Sequence, residues 1–179
     1  MTNDKTGNYI LRPQMMFSDI RWRDSGRNSR RRKALKNGLI TLHNLELMAT
    51  TIYAFQLTKT RNEHNRRLIS ALCNEASHYS DFSVKLREYG FQPSKLRWFW
   101  CFVGAFFGLG SHILGPRMIL RTGIWVETKA VHHYGELLDN IDWDAETRKM
   151  IEKDRDDEGI HIEHWKDLSA ELKKEASRA

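Results

Sequence analysis

An all-α fold is what this chain of 179 residues predicts: four amphipathic helices, with one strongly apolar helix inserted between two helix pairs. Three observations carry the prediction. The chain holds only three prolines. Its long runs are rich in Ala, Leu, Glu, Lys and Arg, the good helix formers. Its apolar residues recur at the three-to-four spacing of a helix face. The length fits one domain with a tail, and a composition of 40% hydrophobic and 29% charged residues is that of a helix-rich soluble protein.

The first element is not a helix but a charged arm. Residues 1–33 hold nine Lys or Arg against three Asp or Glu, while residues 34–179 hold twenty of each sign, so the whole net charge of +6 lies in the arm. Such a block predicts a solvated, flexible segment, with contact to an anionic membrane surface as its functional reading. Because the remainder is neutral, no nucleic-acid partner is expected. Met15, Met16 and Phe17 make too short an apolar run for a secretory signal. Cys73 and Cys101 form no C-x-x-C pair and read as packing residues in a reducing compartment.

The folded unit is expected over residues 34–179. In its first helix Leu42, Leu45, Ala49, Ile52 and Tyr53 form the apolar stripe, with Glu46 inside it. In the second, Leu68, Leu72, Phe82 and Leu86 form a stripe that contains Glu75, His78 and Tyr79, and Gly90 and Pro93 end it. The third is the uncharged run at residues 98–116, WFWCFVGAFFGLGSHILGP, stopped by Gly115 and Pro116. The fourth spans about residues 117–139, with Leu120, Ile124, Val131, Tyr134 and Leu138 around Glu127. Asp142 or Asp144 caps the fifth, whose stripe of Met150, Ile151, Ile162, Trp165, Leu168 and Leu172 includes Glu158 and His161.

Polar residues therefore stand where the apolar faces want Leu or Val. Four carboxylates facing one core must be neutralised, since a buried unpaired charge costs several kcal/mol. Two divalent cations would balance them, with the histidines completing the coordination. The spacing agrees. Glu75 and His78, and again Glu158 and His161, form E-x-x-H, which puts Glu and His on one helix face. Glu46 precedes its motif by 29 residues and Glu127 precedes its own by 31, so the two halves repeat with offsets of 81 and 83. One Glu from each of two helices and an E-x-x-H from each of the other two is the ligand set of ferritin-like di-iron and di-manganese bundles. Zinc fits less well, because it favours N/S sets and no Cys joins these positions.

That arrangement also constrains residues 98–116. At about 1.5 Å of rise per residue they would reach about 28 Å, close to a bilayer core. If they spanned it, Glu46, Glu75 and His78 would be parted from Glu127, Glu158 and His161, and no shared site could form. Two readings stay open: a crossover helix buried by the bundle or a second subunit, and a helix lying in the membrane interface. Its aromatic residues and the flanking Lys95, Arg97, Arg117 and Arg121 favour the interface. The expected location is accordingly the cytoplasmic face of a membrane, or the cytoplasm.

Across residues 46–165 the chain resembles the demethoxyubiquinone hydroxylases, membrane-associated di-iron enzymes of ubiquinone synthesis. The resemblance is carried by Ile52-Tyr53-Ala54 after the first Glu, the E-x-x-H at Glu75 and His78, the Gly-rich apolar crossover, VETKAVHHY at 126–134 and RDDEGIHIEHW at 155–165. It implies two iron ions held by Glu46, Glu75, His78, Glu127, Glu158 and His161, and O2 used to hydroxylate the ring of a polyprenyl quinone precursor. It further implies a His-Tyr relay at His133 and Tyr134, NADH as reductant, and a lipid-presenting protein partner. No G-x-G-x-x-G is present, so a nicotinamide would need an unconventional site or a separate reductase. Where the family has D-H-A-G-E this chain has LHNLE at 42–46, with Asn44 and Leu45 in place of two small residues. Another di-iron oxidase or peroxidase, and a lipid-binding scaffold without catalysis, are the competing readings.

Overall fold

The computed structural model describes residues 19–26 and 28–177, and the greater part of the basic arm lies outside them. Five helices follow in order: α1 (Ser29–Gln56), α2 (Glu63–Glu88), α3 (Arg97–Leu114), α4 (Pro116–Asn140) and α5 (Ala145–Ala176). No strand occurs among the described residues. The ends are set by local chemistry. The side chain of Asn28 accepts from the amides of Arg30 and Arg31 to start α1, and that of Asn62 accepts from Asn65 to start α2. Gly90, at φ 71°, turns the chain out of α2, and the Phe91 amide closes back on the Leu86 carbonyl at 2.7 Å. Pro116 opens α4, where a missing N–H costs nothing. Of the two aspartates expected to cap α5, Asp144 does so, accepting from the amides of Glu146 and Thr147, while Asp142 pairs with Arg31.

Helix α1 packs along α2 and α3, and α4 packs along α5; the two pairs then meet across the middle of the bundle. Each of the four long helices carries a polar stretch between two apolar ones. Leu35, Leu39, Leu42, Phe82, Leu86, Tyr134, Leu138 and Ile151 fill one end. Tyr53, Leu68, Ala71, Leu120, Trp165 and Leu168 fill the other. Each fully buried leucine contributes about 1.5–3 kcal/mol, so these two plugs can hold an unfavourable polar layer between them. Leu45, expected in the α1 stripe, is only half-buried.

Helix α3 buries little more than Gly104, Gly108 and Ser111. A Cβ at Gly104 would stand 2.7 Å from the Met48 carbonyl oxygen, and one at Gly108 would stand 2.6 Å from that of Ile52. Glycine is thus required for α3 to reach the α1 backbone. The Gln56 amide donates to Ser111 Oγ at 2.8 Å and fixes the far end. On the outer face Trp98, Phe102, Phe106 and Ile113 are 64%, 65%, 69% and 73% exposed. No helix among the described residues is long and apolar enough to cross a membrane.

Ahead of α1, the chain lies across the ends of α2 and α5. Arg23 donates to Glu88 Oε2 at 2.5 Å and to Asp144 Oδ1 at 2.6 Å, and Lys85 reaches the same Glu88 oxygen at 2.7 Å. Helix α1 begins at Ser29, so residues 29–33 of the segment read as an arm are helical.

Candidate metal centre

The polar layer between the two plugs is built by four helices. Helix α1 supplies Glu46, α2 supplies Glu75 and His78, α4 supplies Glu127, and α5 supplies Glu158 and His161; all six are buried. Periodicity explains the convergence, because each residue falls on its helix's inward stripe about a turn from core residues. The donors form two overlapping groups, Glu46, Glu75, His78 and Glu158 in one, and Glu75, Glu127, Glu158 and His161 in the other. Within each group the donor atoms lie within 4.8 Å of one another. Glu75 and Glu158 belong to both groups.

The histidines cross between the halves. His78 Nδ1 lies 2.9 Å from Glu158 Oε1 and 3.6 Å from Glu46 Oε2. His161 Nδ1 lies 3.2 Å from Glu75 Oε1 and 3.7 Å from Glu127 Oε1. Despite this closeness, Glu46 Oε2, Glu75 Oε1, His78 Nδ1, Glu127 Oε2, both Glu158 oxygens and His161 Nδ1 are buried without a hydrogen-bond partner. Orphaned buried acceptors on one set of inward atoms are expensive unless a cation joins them. Oxygen and imidazole donors without sulfur suit a divalent first-row metal such as iron or manganese.

The electrostatics point the same way. Burial, reinforced by Glu127 and Glu46, pushes the Glu75 carboxyl well up, and burial with Glu75 and Glu127 does the same to Glu158. Burial also acts on Glu127, but the nearby His161 imidazole and the hydrogen bond from Tyr53 outweigh it and hold that group below the ordinary carboxylate value. Cations held by Glu75 and Glu158 would displace the protons that this burial favours.

Around this set lies a second ring of partners. Tyr134 donates to Glu46 Oε1 at 2.6 Å, and Tyr53 donates to Glu127 Oε1. Glu46 and Glu127 thus each have one oxygen held by a phenol and the other without a hydrogen-bond partner. Burial and the surrounding carboxylates push both phenols well up, so they stay protonated donors. The Trp165 indole donates to the Tyr53 hydroxyl at 3.2 Å, and Gly123 leaves room for that ring. On the outer side of His78, Nε2 stands 3.3 Å from Asp157 Oδ2 and 3.7 Å from Asp154 Oδ1. Lys153 holds Asp157 at 2.7 Å. An imidazole anchored through its far nitrogen is fixed in tautomer and direction.

All six residues expected as metal ligands are brought together, and Tyr134 stands directly behind one of them. His133 is not brought there; it lies half-exposed on α4 with Nδ1 3.3 Å from Glu136 Oε2. Asn44, part of the LHNLE departure from the family, is buried with its Oδ1 unpartnered and belongs to neither donor group. Sequence reasoning placed Tyr53 and Trp165 on apolar stripes and gave neither them nor Asp154 and Asp157 a role at the site. A signal was present for the tyrosines, because Tyr53 and Tyr134 each follow their helix's Glu by seven residues.

Residues 39–177 match the family model of ubiquinone biosynthesis protein COQ7. Over 142 residues the chain is 30% identical to a 3-demethoxyubiquinol 3-hydroxylase of Polaromonas naphthalenivorans (strain CJ2), covering 77% of this chain and 68% of that one. Over 137 residues it is 31% identical to the mitochondrial NADPH-dependent 3-demethoxyubiquinone 3-hydroxylase of Dictyostelium discoideum, covering 73% of this chain and 62% of the relative. The matched family span includes every residue of the buried donor set, and the chain belongs to the family of ubiquinone biosynthesis protein COQ7.

Proposed function

We propose that the chain is a di-iron monooxygenase that uses O2 to hydroxylate the ring of a polyprenyl quinone precursor of the demethoxyubiquinone kind, working at a membrane surface. Family membership supports a hydroxylase of ubiquinone biosynthesis, and the relatives' names supply the substrate class. The observation that carries the metal assignment is the pair of overlapping donor groups whose inward atoms have no other partner.

In this reading Glu46, Glu75, His78, Glu127, Glu158 and His161 would hold two iron ions, Glu75 and Glu158 being common to both donor groups. Two iron ions, when bound, would supply the electrons and Lewis acidity for O2 activation. Tyr53 and Tyr134 keep Glu127 and Glu46 aimed inward, and the Tyr134 oxygen holds a proton beside Glu46. Asp157, pinned by Lys153, orients His78. Ala49, Ile52 and Val126 form an apolar wall where α3 crosses α1, and Met48 packs against it. That wall excludes water and offers a greasy ring an approach from the α3 side. His133 would act only at the outer surface, where it could meet a reductant.

The exposed aromatic face of α3 supports peripheral membrane association, with a lipid-presenting protein or a second copy of the chain as further partners for the same face. The basic residues ahead of α1 would add to the attraction of an anionic surface. Free thiols at Cys73 and Cys101 fit the reducing, cytoplasmic side. A reduced nicotinamide is the proposed electron source; one relative is named as NADPH-dependent.

The test is turnover. Iron-loaded protein, a short-tailed demethoxyquinol, O2 and NADH or NADPH should yield the ring-hydroxylated product, and Glu127→Ala should yield none. Absence of product from well-folded, iron-loaded protein, with vesicle binding intact, would favour the scaffold reading instead.

A further inference from the structure

A cleft of about 350 Å³ opens where the start of α4 faces the end of α5. Arg117 and Arg121 line it from α4, and Lys173 and Ser169 line it from α5. Leu120 and Leu172 contribute apolar surface to its lining. No acidic residue takes part. Among the described residues none pairs with Arg117, Arg121 or Lys173, although most other basic side chains near α5 are paired. The helix geometry makes this a one-sign site. Arg117 and Arg121 share a face at i,i+4, and Ser169 and Lys173 do likewise. Asp167, Glu171 and Glu175 each stand two residues from that α5 face, about 200° around the helix.

Two guanidinium groups from α4 and an ammonium from α5, with a serine hydroxyl in the same lining, match a phosphate group in charge and donor chemistry. No aromatic side chain lines the cleft, so nothing there would stack on a nucleotide base. What adjoins it is apolar. The exposed face of α3 ends at Ile113 and Leu114, and Gly115 alone separates that helix from α4. A phosphodiester in the cleft would thus lie beside a surface suited to acyl chains.

We propose that this cleft binds the phosphate headgroup of an anionic membrane phospholipid and thereby fixes how the bundle sits on the membrane. The proposal rests on the reading of α3 as the membrane-facing surface. The cleft and α3 then act as two separate contacts, one ionic and one apolar, which restrict rotation of the protein on the bilayer.

The experiment is co-sedimentation of the metal-loaded full chain with two vesicle types, phosphatidylcholine alone and phosphatidylcholine with one-fifth phosphatidylglycerol. The parent should bind the anionic vesicles roughly tenfold to thirtyfold more tightly, the range two basic residues at an anionic surface supply. Arg121→Gln with Lys173→Gln should lose most of that preference, keeping only the share added by Arg117 and the basic residues ahead of α1, and should keep its binding to neutral vesicles. Lys129→Gln with Lys149→Gln removes the same charge elsewhere and should keep the preference. Equal losses from both double variants would mean diffuse charge attraction and would overturn the proposal. So would a parent preference unchanged by Arg121→Gln with Lys173→Gln. Inorganic phosphate bound at sub-millimolar concentration, with no preference between vesicles, would make the cleft a soluble-phosphate site and also overturn it. Phe106→Ser with Ile113→Ser tests the underlying reading separately, because loss of α3 contact should weaken binding to both vesicle types. If the parent binds neither vesicle type, it is the membrane reading that fails.

Discussion

Tyr134 on α4 donates to Glu46 on α1, and Tyr53 on α1 returns the same bond to Glu127 on α4. Each tyrosine follows its own helix's glutamate by seven residues, two turns away, yet serves the glutamate of the other half. The exchange ties the two helix pairs together across the metal layer. The neighbours differ, because Tyr53 also receives the Trp165 indole N–H while Tyr134 packs against the Phe82 ring, which has no donor.

Replacing either phenol leaves a buried carboxylate oxygen without its donor. Tyr134→Phe should therefore destabilise the metal-free protein by about 1–3 kcal/mol. Tyr53→Phe should cost more, since it orphans the Trp165 N–H as well. Urea unfolding measures both. A Tyr53→Phe variant as stable as the parent would remove the bond from this account.

The contact between α3 and α1 depends on the absence of side chains. At Gly104 and Gly108 the added carbon would meet carbonyl oxygens that cannot swing aside. Ala at either position should cost about 1–3 kcal/mol through forced separation of the helices. Ala at Gly110, where the added carbon meets nothing, should be neutral or mildly stabilising by thermal melting. Equal effects at Gly108 and Gly110 would contradict the packing.

Glu88 accepts from Arg23 and Lys85, all three being nearly or fully buried. Glu88→Ala leaves two cations without that partner and should cost about 3 kcal/mol. The segment of residues 19–26 should then loosen, so trypsin should cut after Arg21 or Arg23 far faster in the variant. Unchanged cutting would show that this segment is held by other contacts.

His43 is buried between α1 and α2, with Nε2 3.0 Å from Ser83 Oγ. Burial, with Arg97 adding to it, lowers its titration from the usual 6.5 to about 4. The sign follows: the fold favours neutral histidine, so its contribution is complete above pH 6.5 and is lost as the pH falls through 6.5 toward 4. The parent should lose about 3 kcal/mol more stability over that interval than His43→Gln, which can still bond Ser83. Parallel stability–pH curves for the two proteins would exclude this role.

The sequence was most legible where a strong period met the wrong residue type. Glu46, Glu75, Glu127 and Glu158 stand out because a helix stripe leaves no polar choice unexplained, and the duplicated spacing links them. Residues 98–116 were legible as an uncharged helix, but which side faced inward depended on Gly104 and Gly108 meeting the α1 backbone. Asp154 was hidden because an aspartate in a charged stretch reads as solvated; only the fold shows it buried behind His78, its titration pushed up by burial to about 6. His133 shows the opposite limit. Its neighbour Tyr134 points inward, and at about 100° per residue the next side chain in a helix cannot share that direction. The Arg23, Glu88 and Asp144 contacts join residues separated by 65 and 121 positions, which no local pattern encodes.

The central claim is two metal positions sharing Glu75 and Glu158, and metal stoichiometry tests it most directly. Protein reconstituted with Fe(II) under argon and freed of excess should carry about two irons per chain, as the bundle's ligand set implies. Glu127→Ala with His161→Ala should reduce this to about one, and Glu158→Ala, which removes a shared ligand, should abolish tight binding at both positions. A folded parent that retains no iron, or a single zinc indifferent to Glu158→Ala, would contradict the account.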